Sequence, residues 1–380
     1  MRSYQPAYIK SQNRKVVFDL FQERPKLSRA EITQLTGMSF PTVMKVVEFL
    51  VSKKMVEELG TTPSPEDGVG RKRRMLRFNA RAYHAVGVEL EGRFAHVGLV
   101  DLSGALIRTH SLALSEDLSR NDLIELADCV RQVAEKSPSP VLGLGMGFPG
   151  VVDPASGEIV SFHRRGVVSP TPFDRLFPGF KERAGMQVFL ENDVNLACVG
   201  ENFRNKFGAP SLSMVYLSLG TGFGAGIMLD GRLWRGESLR AGEVGNFCLG
   251  TADSDKPPAL NLESRICLGT IEHTYGVRLG EGGALSPRQK AEIAALILPH
   301  LCGVIYNLAI SLNISRFILS GVIPSALGDI LYESLNRRLD AMSGRLAVAL
   351  VSPPECLLPV VTGGASMVFE RLLFDEVLSG

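Results

Sequence analysis

This chain lacks the marks of a secreted, disulfide-stapled or membrane-embedded protein. Its six cysteines, at 129, 198, 248, 267, 302 and 356, form no Cys-x-x-Cys pair and no regular spacing. Reduced thiols in a cytoplasmic protein are therefore expected, not a disulfide framework. Met1 to Lys10 is polar and has no apolar core of the kind a signal peptide needs. One apolar run free of charge, Ile293 to Leu312, is long enough to cross a bilayer. Pro299, His300, Asn307 and Ser311 interrupt it, so a helix buried in an α/β domain is expected and no membrane partner. There is no low-complexity tract and no clear internal repeat. Net charge is also nearly absent, at +1, but it is unevenly spread. Residues 1–78 hold fifteen Lys and Arg against eight Asp and Glu, leaving the remainder acidic by six charges. One basic module on an acidic body suits a protein that touches nucleic acid with one end.

What is present begins with residues 27–54, which read as a helix-turn-helix. Ser28 and Glu31 have the spacing of a capping box, and Gly37 sits where the chain must reverse with positive φ. Ser39 can cap the second helix, with Pro41 in its first turn, where no helical donor is lost. Ile32, Leu35, Val43, Val46, Val47 and Leu50 recur at helical steps and are expected to be buried. Ser39, Phe40, Thr42, Met44 and Lys45 are left to face outward from the start of the second helix, the part that meets base edges in this motif. Met55–Leu59 and Arg73–Phe78 read as two strands around a Gly-, Pro- and Thr-rich loop, which makes the unit a winged helix. Arg71, Lys72, Arg73 and Arg74 lie at the returning strand, where cations can meet phosphates or a narrow minor groove.

With 380 residues and 45% hydrophobic content, the chain predicts two or three globular domains. Residues 1–80 are assigned to the winged helix, 81–198 to a first α/β lobe and 199–380 to a second, with the last helix free to pack back on the first. Strands are expected at Ala85–Glu91, Ala95–Asp101, Leu106–Ser111, Val141–Met146, Gln187–Leu190, Met214–Leu219, Ile227–Leu229, Arg316–Leu319 and Cys356–Val361. Helices are expected near Asn121–Lys136 and Arg288–Asn313. Ligands of such a fold are expected at strand ends between lobes.

Three motifs carry chemistry. The run GTGFGAG, Gly220 to Gly226, follows an apolar strand and offers backbone N–H groups to an anion, although such a turn is about as often structural. Asp193, in ENDVN, sits at a strand-to-helix junction, where its carboxylate can accept from a sugar hydroxyl or simply cap the helix. Glu243, in AGEVGN, stands between two glycines and again suits hydroxyl recognition.

In this order these pieces resemble the ROK family (repressors, open reading frames and kinases). The matching residues are LSRAEITQLTG, GFPG, ENDVN, GTGFGAG, AGEVG and LNISRFILSG. The resemblance implies a winged helix-turn-helix followed by a two-lobed sugar-kinase/actin-like α/β domain, similar to the family's xylose and N-acetylglucosamine repressors. It implies DNA and a sugar or sugar phosphate as partners, and at least a homodimer on a palindromic operator. Sugar contacts carried over are Gly150, Asn192, Asp193, Glu243, Asn246 and Glu263, with Gly220, Thr221, Gly222 and Gly224 as a vestigial phosphate loop.

The departures matter as much. Family kinases have Asp-x-Gly-Gly-Thr in the first hairpin, and here it reads Glu89-Leu90-Glu91-Gly92-Arg93. A carboxylate about 4 Å from a phosphate charge costs about 1 kcal/mol in water and about 4 at an effective dielectric near 20. Asp193 would then be a vestigial base, with no ATP, no cofactor and no kinase activity. The family's zinc run is also broken: Asn246 replaces its His, and Cys248 and Cys267 cannot supply four ligands, so no metal is expected. Two alternatives stay open: an active sugar kinase with an accessory DNA-binding domain, and a regulator whose sugar pocket is vestigial.

Overall fold

The computed structural model describes residues 6–61, 74–162, 166–205, 213–248, 262–342, 349–351 and 358–377. The chain divides into two compact units, residues 1–211 with 359–380, and residues 212–358.

Unit 1 opens with three helices, α1 (Pro6–Glu23), α2 (Arg29–Thr36) and α3 (Phe40–Ser52), and with strands β1 (Lys26–Ser28), β2 (Val56–Thr61) and β3 (Arg74–Phe78). The strands form one antiparallel sheet in the order β1-β3-β2. This is a winged helix, and its local signals act as the residues require. The Ser28 N–H donates to Glu31 Oε2 at 2.7 Å, while the Glu31 N–H donates to Ser28 Oγ. Gly37 ends α2 at φ 68°, a conformation that costs a Cβ-bearing residue about 1 kcal/mol. Val43, Val46, Val47 and Leu50 bury one face of α3 under Val17, Phe18 and Phe21 of α1. Leu35 departs from expectation and is 45% exposed. In an α2 of only 8 residues, Ile32 alone reaches the core, and Leu35 is turned about 60° away from it. Neither α1 nor β1 was anticipated from the sequence.

The main sheet of unit 1 contains β4 (His84–Glu91), β5 (Phe94–Asp101), β6 (Leu106–Ala113), β7 (Val141–Phe148) and β11 (Val188–Asn192), in the order β11-β7-β4-β5-β6. The β4, β7 and β11 strands run parallel, and β5 and β6 are antiparallel. Helix α4 (Arg120–Glu135) crosses from β6 to β7 and buries Leu123, Leu126, Ala127, Val130 and Val133. A small antiparallel sheet of β8 (Val151–Asp153), β9 (Glu158–Ser161) and β10 (Thr171–Pro172) follows, with short helices α5 (Phe173–Leu176) and α6 (Phe180–Ala184). Helix α7 (Asp193–Asn205) leaves directly from β11. The expected boundary at 198/199 would cut α7 in half, and the chain instead changes units at 211/212.

Unit 2 contains β12 (Met214–Leu219), β13 (Phe223–Leu229), β14 (Arg232–Trp234), α8 (Glu263–Ile266), α9 (Leu268–Tyr275), α10 (Pro287–Leu312), β15 (Arg316–Ser320), α11 (Val322–Leu327), α12 (Asp329–Met342) and β16 (Ala349–Val351). Its sheet order is β14-β13-β12-β15-β16, with β12, β15 and β16 parallel and the β12–β13–β14 meander antiparallel. Counted from the first strand of each sheet, the two five-stranded sheets have the same order and the same directions. That duplication left no readable repeat in the sequence. Helix α10 is long and apolar enough to cross a membrane by length and composition. Ile293, Ile297, Leu301, Val304, Ile305 and Leu308 nevertheless form the middle of this unit's core. Of the GTGFGAG run, Phe223 to Gly226 already belong to β13, so the strand starts earlier than expected.

The expected late strand at Cys356–Val361 is overturned, although Cys356 and Leu357 lie outside the described residues. Residues 359–368 form helix α13 (Pro359–Val368), buried against β4, β7 and α7 of unit 1. A short apolar run does not distinguish strand from buried helix. The decision is made by backbone approach: a Cβ on Gly145 would stand 2.1 Å from Gly364 O, so this helix seats only on a glycine-bearing strand.

Candidate DNA-reading head and hydroxyl-binding clusters

In the head, Ser39 caps α3 by accepting from the Thr42 N–H, and the two hydroxyls lie 2.9 Å apart. Ser39 and Thr42 are thus partly engaged with each other. Phe40 is 52% exposed, Lys45 is exposed, and Thr42 and Met44 are half-buried. Arg74 is exposed at the start of β3, whereas Arg71, Lys72 and Arg73 lie outside the described residues. The frame behind α3 is held by charge. Arg14, buried, lies 3.3 Å above the Phe49 ring, and Arg29 of α2 pairs with Glu58 of β2.

At the C-terminal ends of β4, β7 and β11, unit 1 gathers its sequence-predicted residues. Phe148 is held edge-on by Phe162 and Phe177, with ring centroids 4.5 and 5.9 Å away, which anchors the turn through Gly150. A Cβ on Gly150 would lie 2.2 Å from Ser161 O, so this turn requires glycine. Asn192 is the organiser of the corner. Its Nδ2 donates to Gly150 O at 3.1 Å and to Asp193 Oδ1 at 3.1 Å, and its Oδ1 accepts from the Asn195 N–H at 2.9 Å. Capping of α7 therefore falls to Asn192, and Asp193 occupies the first turn. Glu191, which sequence reasoning passed over, is buried and accepts from Asn195 Nδ2 at 3.0 Å. Its position inside ENDVN was the available signal.

The departure at Glu89-Leu90-Glu91 has a measurable electrostatic consequence in this same corner. Glu89 lies beside Gly147 in the sheet register, and Gly147 lies beside Glu191. Loss of hydration, then the Glu91 carboxylate and then Asp193, pushes the Glu89 carboxyl up to about 8. The surrounding groups repel a further negative charge, the reverse of a phosphate cradle.

Unit 2 holds a second cluster. Gly242 takes φ 89°, and a Cβ there would meet Ala225 O at 1.8 Å, so the AGEVGN loop lies directly on β13. Glu243 and Asn246 are exposed, with Asn246 Nδ2 donating to Glu243 Oε2 at 3.4 Å. Glu263 is half-buried and accepts from the Phe223 N–H at 2.8 Å through Oε2. The Gly220 N–H donates to Gly222 O at 2.9 Å. The N–H groups of Gly220, Phe223 and Ala225 in the glycine-rich run are thus committed within the chain, that of Phe223 to a carboxylate. Thr221 is exposed, and Gly222 and Gly224 are half-buried. Among the described residues, no group of three or more His, Cys, Asp or Glu is placed to hold a metal ion.

Residues 85–264 match the ROK family, and the chain carries a ROK family domain. The xylose repressor of Bacillus subtilis (strain 168) is 28% identical over 250 residues, covering 64% of this chain and 62% of the repressor. The transcriptional dual regulator NagC of Escherichia coli (strain K12) is 23% identical over 249 residues, covering 63% of this chain and 58% of NagC. The chain therefore aligns with less than two thirds of the length of these relatives. The crystal structure of a ROK family transcriptional regulator, a homolog of the E. coli MLC protein, matches with a TM-score of 0.72 at 19% identity, covering 98% of this chain and 100% of that one. A ROK hexokinase from Thermus thermophilus matches with a TM-score of 0.60 at 23% identity, covering 76% and 99%. At such identities these structures establish the fold alone.

Proposed function

We propose that this protein is a cytoplasmic, sugar-responsive transcriptional regulator, a repressor, that binds DNA through α3 and carries out no phosphoryl transfer. The observation that carries the reading is the exposed N-terminal face of α3, with Phe40 and Lys45 outward on a capped and buttressed helix, in a chain that also holds a ROK domain. Arg71, Lys72, Arg73 and Arg74 add phosphate contacts, and two heads of a homodimer read half-sites about one helical turn, or a multiple, apart. Asn192, Asp193 and the Gly150 turn engage the hydroxyls of a sugar or sugar phosphate, and Glu243, Asn246 and Glu263 form a second hydroxyl-binding cluster. A coupling of about 1–3 kcal/mol then shifts DNA affinity roughly five- to 150-fold.

The carboxylates at Glu89, Glu91 and Asp193 favour this reading over an active kinase, because ATP phosphates would enter a corner that already holds a proton on Glu89 at neutral pH. The decisive experiment has two arms. Lys45→Ala with Arg73→Ala is expected to lower affinity for the protein's own promoter in a mobility-shift assay, and equal affinity would sink the head assignment. Sugar-dependent ADP formation that Asp193→Asn abolishes would restore the kinase. A thermal-shift panel of sugars and sugar phosphates, repeated on Glu243→Gln, separates a working pocket from a vestigial one.

A further inference from the structure

The segment joining the head to the main sheet of unit 1 is hydrogen-bonded on both of its sides. Toward the head, the Asn79 N–H donates to Met55 O at 2.8 Å and Asn79 Nδ2 donates to Lys54 O at 2.8 Å. Asn79 Oδ1 accepts from the Arg81 N–H at 3.2 Å, which caps the 3-10 turn Ala80–Ala82. Toward the sheet, Ala80 O accepts from the Leu102 N–H at 2.9 Å, and Arg81 O accepts from Ser139 Oγ at 2.6 Å. A second strut arrives from α1, where the buried Gln22 donates Nε2 to Leu102 O at 3.2 Å. Both backbone groups of the fully buried Leu102 are thereby used by residues of the head and its joining segment.

The turn that presents Leu102 is itself stiff. Asp101 is buried, and its Oδ1 accepts from the Ser103 N–H at 2.8 Å, Ser103 Oγ at 2.6 Å and the Ala105 N–H at 3.1 Å. This turn ends β5, whose other end pairs with Glu91 of β4. One hairpin of 8-residue strands, about 26 Å long, therefore has the head at one end and the Glu89–Glu91 corner at the other. A free tether would leave the donors and acceptors of Asn79 to Arg81 to water, whereas here they are matched within the chain, and the strut from Gln22 to Leu102 is buried.

We propose that Gln22 and Asn79 are positioning residues that lock the DNA-reading head to the β4–β5–β6 sheet as one rigid body. The aim of α3 is then set by the sheet and its hairpin, and control of DNA binding is exercised on that whole body, without a swinging head. This rests on the regulatory reading above.

The test uses the full chain and the pair Gln22→Met with Asn79→Asp. The first keeps the side-chain volume, and the second keeps the acceptor for Arg81 while removing the donor to Lys54. In amide exchange, segments 76–84 and 100–105 of the wild type are expected to be protected like β4. In the variant they should exchange about ten-fold faster or more, with β7 and β11 unchanged. DNA duplexes are recovered by selection from a random pool with the wild-type chain. Inserting two base pairs between half-sites is expected to cost the wild type about ten-fold or more in affinity and the variant less than about three-fold, with single half-site binding equal. Free-chain exchange of 79–83 in the wild type overturns the proposal, as does unchanged spacing sensitivity in a variant whose seam has opened. Recovery of no duplex at all would overturn the regulatory reading instead, and the exchange arm would still decide the seam.

Discussion

The head and the β4 corner use charge in opposite ways. On the head, Lys45 and Arg74 are exposed, and neither forms a salt bridge among the described residues, so their fields are available to an anion. At the β4 corner, Glu89, Glu91 and Asp193 crowd together, and one of them holds its proton to about pH 8. A face of exposed cations and a corner of crowded carboxyls therefore occupy one compact unit. The difference teaches that exposure and burial decide what a charge can do: a solvated cation keeps its field, whereas a desolvated carboxyl among carboxylates keeps its proton.

The largest expected effect tests the head side of this contrast. Lys45→Glu with Arg74→Glu should weaken DNA binding by about 100-fold near physiological salt and flatten the slope of log K against log salt by about two. A titration series over ionic strength checks both, and an unchanged slope would break the comparison.

The corner side is tested by Glu89→Gln. A group whose folded pKa is raised contributes fully below its unfolded value near 4.5, and that contribution is lost as pH rises through about 8. The glutamine variant should melt at the same temperature as wild type near pH 4.5 and several degrees higher at pH 8.5. Coincident melting curves at pH 8.5 would mean that neither burial nor the neighbouring carboxylates raise Glu89.

The opposite end of β4 offers a smaller effect with the reverse sign. His84 is buried, with Nδ1 2.8 Å from Ser137 Oγ, and burial lowers its pKa from 6.5. The unfolded chain then binds a proton first, so stability falls as pH drops below about 6.5. His84→Gln should remove that part of the acid-side slope in denaturant titrations between pH 7 and pH 5. The smallest effect is expected at Leu35→Ser. Its exposure predicts a stability change within about 0.5 kcal/mol, whereas a core leucine would cost several.

Much of the head was legible because its signals are local. Ser28, Glu31, Gly37, Ser39 and Pro41 act within four residues of themselves, through backbone groups that any chain of this sequence would expose. Strand cores such as Met214–Leu219 were legible for a similar reason, since a continuous apolar run must be buried. Leu35 and the α13 helix were not legible. Leu35 lies on α2 about 60° round from Ile32, outside the face that is buried, and Val360–Val361 can serve either a strand or a helix until Gly145 lets a helix backbone approach. In the candidate site, Asn192, Asp193, Glu243 and Glu263 were named from motifs, but not what holds them. Glu263 meets the Phe223 N–H across 40 residues, and Asn192 meets Gly150 across 42.

By itself the sequence determined that this chain carries a capped helix-turn-helix, two α/β lobes and a first hairpin with two glutamates, Glu89 and Glu91, at its tip. Those properties follow from short-range backbone chemistry and from residue identity at single positions. Only the tertiary structure decided that Glu89 shares a corner with Asp193, that the two sheets repeat one topology, and that the head is pinned to the β4–β5 hairpin through Gln22 and Asn79. Each depends on sheet order and on donors and acceptors brought together across tens of residues, and no local pattern encodes such distances.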